Sequence, residues 1–292
     1  MRFGMRLPTP ESGAGLSAWA RAIEDAGFAS AWVSDHVLLP VQSNSRYPFS
    51  ADGRVSWALD GEWFDPVVQL SVAAAATERL VLGTAVLVAP IRHPYIVARQ
   101  FASLDRMYPG RFSLGIGAGW LAEEFAAMGV DFARRGALTL DWIHAVRTSW
   151  TGSVPAGVNA SYPVPVPMHS LPTPAGEIEV LLGGTSPAAI RRAARYADAW
   201  MAHESLPTID LQRVAQQADL LRAEAQGREV RIVLRIVGTA DAAAEVAELL
   251  PVIAEAGVDE VVIDPPEHIE RTTGEAHVLL GVELPLRKET NA

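Results

Sequence analysis

Asp35 and His36 stand side by side where a short apolar run, Ala31-Trp32-Val33, gives way to polar residues. Neighbours on a strand point to opposite faces, but at a strand end both can line one pocket rim. An imidazole there, with an ordinary pKa near ~6.5, can hydrogen-bond a ligand carbonyl or carry a proton. The alternative is a helix-capping Asp beside a surface His. A second stretch alternates glycines, Gly115-Ile116-Gly117-Ala118-Gly119, ahead of Trp120 and the acids Glu123 and Glu124. On a strand these glycines share one face, which then carries no side chains. A flat ligand can lie on such a face, or a crowded interior can require it. A third stretch, Gly183-Gly184-Thr185-Ser186-Pro187, joins a strand to a helix, with Ser186 as N-cap and Pro187 as first helical residue. Its glycines admit a ligand to the backbone and the helix amides attract phosphate, with Arg191 and Arg192 just beyond. Without a ligand it is an ordinary capped turn.

Other chemistries are excluded or disfavoured. No Gly-Lys-Ser/Thr follows Gly184, so the turn is not a P-loop, and Trp120 stands where a dinucleotide fingerprint needs Gly or Ala. The remaining histidines, His93, His144, His169, His203, His268 and His277, show no His-x-His or Glu-x-x-His spacing, which argues against a metal enzyme. There is no cysteine, and no Gly-x-Ser-x-Gly elbow marks a serine nucleophile. A formal net charge of -10 disfavours nucleic-acid and acidic-membrane partners. The N-terminus reads as a strand, not a signal peptide, and no apolar run reaches the ~18 residues of a membrane helix. The expectation is a soluble, cytoplasmic protein.

These residues need elements that bring them together. Leu16, Trp19, Ile23 and Ala26 share one helical face, which Gly27 ends, and a short buried strand follows. The pattern returns with Val246, Leu249, Leu250 and Ile253, then Gly257 and Val261-Val262-Ile263. Between these ends, strands are expected at about 80–88, 111–118, 179–183, 199–203 and 230–237. Helices alternate with them at about 65–78, 94–107, 133–151, 187–197, 207–226, 241–256 and 267–281. Near-continuous apolar strands such as Leu80 to Val88 suit a parallel sheet covered on both faces. A single α/β domain over residues 1–292, a (β/α)8 TIM barrel, is therefore expected, with an open doubly wound sheet as the alternative. Residues 38–63 and 152–177 fall outside the repeat, as insertions after strands 2 and 4. The first, with Tyr47, Phe49, Trp57 and Trp63, reads as a lid over the strand ends; the proline-rich second reads as surface decoration.

Several ordered motifs resemble one family. They are Ser34-Asp35-His36, Leu82-Gly83-Thr84-Ala85-Val86, Arg92-His93-Pro94, Leu104-Asp105-Arg106, Gly110-Arg111-Phe112, the run from Gly115 to Trp120, Gly183 to Pro187, and Asp198-Ala199-Trp200. Together they resemble the luciferase-like monooxygenase superfamily, specifically its coenzyme F420-dependent oxidoreductase branch, from the first strand to about residue 205. The resemblance implies a barrel that binds a deazaflavin or flavin at the C-terminal strand ends. Asp35 and His36 would flank the ring as catalytic residues, with His203 or Glu204 the reserve proton carrier. Ala85-Val86 would be a non-prolyl cis peptide against one ring face. Ala118, Gly119 and Trp120 would follow the ribityl chain, and Gly184, Thr185, Ser186, Ala188 and Ala189 would hold the phosphate. Glu123 stands where some relatives place a cofactor-binding Asn. The cationic set of the sugar-phosphate dehydrogenases is not recognisable, and Trp57 and Trp63 favour a less polar small-molecule substrate.

The activity implied is hydride transfer between F420 and that substrate, with Arg92, Arg134 and Arg135 near the mouth for the anionic tail of F420. The alternatives are an FMN-dependent monooxygenase using oxygen and a non-catalytic cofactor-binding barrel. A homodimer is expected, with a separate cofactor reductase as a candidate partner.

Overall fold

The computed structural model describes residues 1–281 apart from Pro10, Ala51 and Ser56. Eight parallel strands form its centre: β1 (Arg2–Arg6), β2 (Ser30–Val33), β3 (Val81–Thr84), β4 (Phe112–Gly117), β5 (Glu179–Gly183), β6 (Ala199–Ser205), β7 (Arg231–Val237) and β8 (Glu260–Ile263). Each pairs with the next, and β8 returns to β1 with Arg2 opposite Glu260 and Met5 opposite Ile263, which closes the barrel. The open-sheet alternative is thereby removed. Around the barrel lie α1 (Gly13–Asp25), α2 (Pro66–Ala76), α3 (Pro94–Met107), α4 (Ala122–Ala127), α5 (Arg135–Trp150), α6 (Pro187–Tyr196), α7 (Leu211–Ala225), α8 (Ala243–Glu255) and α9 (Thr272–Leu280). Residues 282–292 of the expected domain lie outside the described residues.

Strand alternation sorts the barrel interior into three layers. The lowest is charged and self-satisfied: Arg231 pairs with Glu179 and Glu260 at 2.7 Å each, and Ser113 donates to Glu179 at 2.7 Å. The middle layer is apolar, with Trp32, Leu181, Met201, Val233 and Val262 buried together. A side chain on Gly83 would collide with the Trp32 ring, so this glycine exists to admit the indole. Trp32 thus fills the centre and separates the mouth from a small polar pocket at the lower end, lined by Arg2, Ser30, Glu179, Arg231 and Glu260. The top layer carries Arg6, Ser34, Gly117, Gly183, His203, Arg235 and Asp264, which are polar or minimal. These are the C-terminal strand ends, where active sites of this fold are built.

Two sequence expectations are refined. The single strand over 80–88 is interrupted: β3 stops at Thr84, and Leu87–Val88 resumes beside Ile116 and Gly117. The short helix α4 was not expected; its six residues carry Glu123 and Glu124. The proline-rich segment contains a small antiparallel pairing of Ser153–Val154 with Met168–His169. It packs along α3 and α5, where the Tyr162 carbonyl accepts from Tyr95 Oη at 2.8 Å and Asn159 donates to the Asp141 carbonyl at 2.6 Å. It flanks helices, not the strand ends.

Candidate active site

The glycine run serves packing. The Ala85–Val86 peptide bond is cis. Thr84 Oγ1 donates to the Gly115 carbonyl at 2.6 Å, and a side chain on Gly115 would strike the Thr84 carbonyl. A Cβ on Gly117 would sit 2.6 Å from Val86 Cγ2, and one on Gly183 would sit 3.0 Å from Val86 Cγ1. The bare face foreseen in the sequence is therefore covered by the protein's own Val86. A flat ligand entering the mouth meets that half-buried valine.

His36 is held from a direction the sequence did not indicate. Its Nδ1 lies 3.1 Å from Glu124 Oε2, with the two side chains 7% and 1% exposed. Glu124 Oε1 accepts from the Val37 amide at 2.6 Å and the Leu38 amide at 3.3 Å, so the carboxyl acts as an acceptor throughout. That fixes the proton of neutral His36 on Nδ1 and leaves Nε2 outside the pair. Trp63 meets the imidazole edge-on at 4.8 Å, with Trp120 at 6.0 Å. Asp35 points elsewhere. Its Oδ1 receives Arg92 Nη2 at 2.7 Å, and its Oδ2 receives Arg92 Nε at 2.9 Å and the Val88 amide at 3.0 Å. Asp35 is thus buried and held by three hydrogen bonds, directed toward Arg92 and away from His36. Arg92 also pairs with Asp65 at 3.0 Å, which removes it from the cations at hand for an anionic tail.

The turn after β5 is built as expected, with different charges around it. Ser186 Oγ accepts from the Ala189 amide at 3.2 Å, capping α6, and Pro187 is the first helical residue. Thr185 sits at the same turn, its carbonyl held by Gln217 Nε2 at 3.0 Å, and Ala188 and Ala189 form the first helical turn. Gly184 has φ +123°, which L side chains rarely adopt, and its carbonyl accepts from Trp200 Nε1 at 2.9 Å. Arg191 is drawn to Glu224 at 3.0 Å. Arg192 Nη2 lies against Gly136 instead; burial and then the like charge of Arg135 both weaken its hold on its proton. Arg135 donates to the Phe132 carbonyl at 3.0 Å and lies 4.0 Å over the Phe132 ring. Arg134, beside it, is exposed.

Over residues 1–277 the chain matches the model of the family described as luciferase-like monooxygenase. It belongs to that family. The luciferase-like chain is 37% identical over 207 residues to an uncharacterized protein of Mycobacterium tuberculosis (strain ATCC 25618 / H37Rv), covering 70% of each. It is 31% identical over 206 residues to the F420-dependent glucose-6-phosphate dehydrogenase of Nakamurella multipartita, covering 69% of this chain and 56% of that one. Among solved structures, an F420-dependent secondary alcohol dehydrogenase in complex with an F420-acetone adduct superposes with TM-score 0.75 at 16% identity, over 97% of this chain and 99% of the other. A monooxygenase from Streptomyces bottropensis superposes with TM-score 0.73 at 19% identity, over 97% and 98%. These structural likenesses show the barrel fold. Among the described residues, no helix is long and apolar enough to cross a membrane.

The luciferase-like barrel carries its aromatic insertion over the mouth. Tyr47 lies 5.0 Å from Trp57 and 5.1 Å from Trp120, and Phe49 stacks on His203 at 4.2 Å. Glu123 anchors the segment: it accepts from Ser45 Oγ at 2.6 Å and from the Asn44 amide at 2.7 Å. The Ser45 hydroxyl and the amides of Asn44 and Ser45 outweigh desolvation and hold the Glu123 carboxyl down to about 2. Its task here is loop attachment. Burial, then nearby Arg235, pushes His203 down to about 3, so its imidazole stays neutral and is a poor proton carrier. Glu204 is bound by Arg213 at 2.6 Å and serves the barrel rim.

Arg235 was missed, although one signal was available. In Arg231-Ile232-Val233-Leu234-Arg235 the two arginines share one face of a strand, and arginine inside a barrel is rare enough to flag.

Proposed function

We propose that this protein is an F420-dependent oxidoreductase that moves a hydride between the deazaflavin and a small organic substrate in the mouth of the barrel. The observation that carries the choice of cofactor is the Arg135–Arg192 pair. Arg135 acts on Arg192 as a like charge, Arg192 Nη2 reaches the start of α5 at Gly136, and Arg192 is half-buried. Such a pair suits an anion extending past the phosphate, which F420 has and FMN lacks. Three features fit a flat, phosphate-bearing group: Val86 set over Gly117 and Gly183, the capped start of α6, and, among the described residues, a buried unpartnered nitrogen at Trp57 Nε1.

When bound, the deazaflavin supplies or accepts a hydride at a ring carbon. The chain's own residues do the rest. His36 takes up or returns the accompanying substrate proton at Nε2, while Glu124 stabilises the imidazolium through Nδ1. Trp57, Trp63 and Trp120 surround that imidazole and exclude water, which strengthens the ion pair when it forms. Val86 gives a ring one apolar face to rest on. Thr185, Ser186 and the first turn of α6 receive the phosphate.

Titrating the apo-protein with F420 and FMN side by side tests the proposal. Quenching of deazaflavin fluorescence is expected at micromolar concentrations or below, with FMN binding more weakly. Saturation by FMN without any response to F420 would move the assignment to the flavin monooxygenases.

A further inference from the structure

Arg235 lies deep in the mouth and, among the described residues, has no counter-charge of its own. Its Nη1 donates to the Ala85 carbonyl and, at 3.2 Å, to Ser34 Oγ, both neutral acceptors. Asp264 acts on it only at longer range, because its oxygens are taken by Arg6 Nε at 3.2 Å and the Gly238 amide at 2.7 Å. Arg6 opposes it as a like charge, after desolvation, so the site holds this cation at a cost. Two guanidiniums against one carboxylate leave one positive charge in excess, inside a chain of net charge -10.

The neighbours of Arg235 add donors without adding charge. His203 is its register partner on β6, one strand spacing of ~4.8 Å away, and both residues face inward. The His203 imidazole is neutral and, among the described residues, its buried Nδ1 has no hydrogen-bond partner. Tyr47 stands close enough to feel both Arg235 and Asp264, and burial pushes its phenol up to about 12, so it too is a neutral donor. The walls are flat: Phe49 over His203, Tyr47 at 5.4 Å from Phe49, and Trp57 beyond. A buried cation with spare donor capacity, framed by ring faces, is complementary to an anion on a planar body.

We propose that the substrate is a planar organic anion, an aromatic or conjugated carboxylate, whose carboxylate is bound by Arg235 and His203 Nδ1. The inference rests on the reading of the mouth as a hydride-transfer site, and replaces a wholly apolar substrate with an amphipathic one. Ser34 and the Ala85 carbonyl orient the guanidinium, and the aromatic insertion grips the apolar part.

The test uses the full chain and two probes of one shape, 2-naphthoate and neutral 2-naphthamide. Their binding is followed calorimetrically with and without saturating F420. Wild type is expected to bind the acid at least about tenfold more tightly than the amide, the range of a charge-assisted hydrogen bond. Arg235→Gln should abolish that preference and leave the amide's affinity unchanged, and Arg235→Lys should restore part of it. Binding of the acid should persist beside F420. Equal affinity for acid and amide in wild type, which needs no variant, would overturn the proposal. So would an acid preference retained by Arg235→Gln, or displacement of the acid by F420, which would assign Arg235 to the cofactor. Failure of the deazaflavin reading would look different: no response to F420, with the acid preference intact.

Discussion

Glu124 holds His36, with Nδ1 of the imidazole 3.1 Å from Oε2 of the carboxyl. The sequence neighbour Asp35 is turned away and locked to Arg92. His36→Ala is therefore expected to lower the single-turnover hydride-transfer rate by ~10²–10⁴-fold, with little loss of cofactor affinity. Glu124→Gln should cost about tenfold, because the amide still fills the space but cannot stabilise the imidazolium as well. The double variant should be no slower than His36→Ala alone, since the two residues act as one unit. An unchanged rate with collapsed affinity would make His36 a binding residue only.

Arg192 separates the two cofactors. Arg192→Ala should weaken F420 binding several-fold while FMN affinity stays within about twofold, because only F420 extends beyond the phosphate. The difference should shrink as salt is raised, since the contact is half-exposed. Equal losses for both cofactors would show that Arg192 merely supports α6.

The turn after β5 is sensitive in its backbone. At φ +123°, Gly184→Val is strained whatever ligand is present, and it should lower Tm as well as cofactor affinity. Ser186→Ala removes a cap worth ~1 kcal/mol and should lower Tm by roughly 2–4 °C. A thermal melt of each variant decides; a wild-type Tm for Gly184→Val would contradict the backbone geometry.

Acid should loosen the aromatic insertion before it unfolds the barrel. Glu123 is held down to about 2 in the folded chain, against an ordinary 4.5. A depressed carboxyl contributes its stability above the unfolded value and loses it as pH falls through the folded one. Tryptophan fluorescence from Trp57, Trp63 and Trp120 should therefore change between about pH 4.5 and 2. In Glu123→Gln that change should be absent.

Gly115→Ala should be among the most destabilising single changes, because its methyl would strike the Thr84 carbonyl and not a movable side chain. A loss of ~1–3 kcal/mol is expected from denaturant unfolding, as for overpacked cores generally. Gly110→Ala meets open space but has φ +72°, and should cost less.

Much of this was legible in the chain. Helix periodicity, the apolar strands and the repeated Ala-Gly passages at 26–27 and 256–257 determined a βα repeat, because local burial patterns set both elements. The motif order determined the family, and Ser186-Pro187 determined the start of α6 through cap chemistry that acts within one turn. Side-chain partnerships across the barrel were decided only by closure. Asp35 finds Arg92 and His36 finds Glu124 because α4 and the start of α3 converge on the end of β2, contacts 57 and 88 residues apart in sequence. The purpose of Gly115 and Gly117 was likewise undecidable from alternation alone, since either a ligand or Val86 could fill the missing volume. The isolation of Arg235 is also tertiary. A lone arginine on a strand is only a charge until closure sets it beside His203, with Asp264 already committed to Arg6. Spacing along the chain determines which face a residue takes; which groups meet on that face depends on how distant strands are brought together.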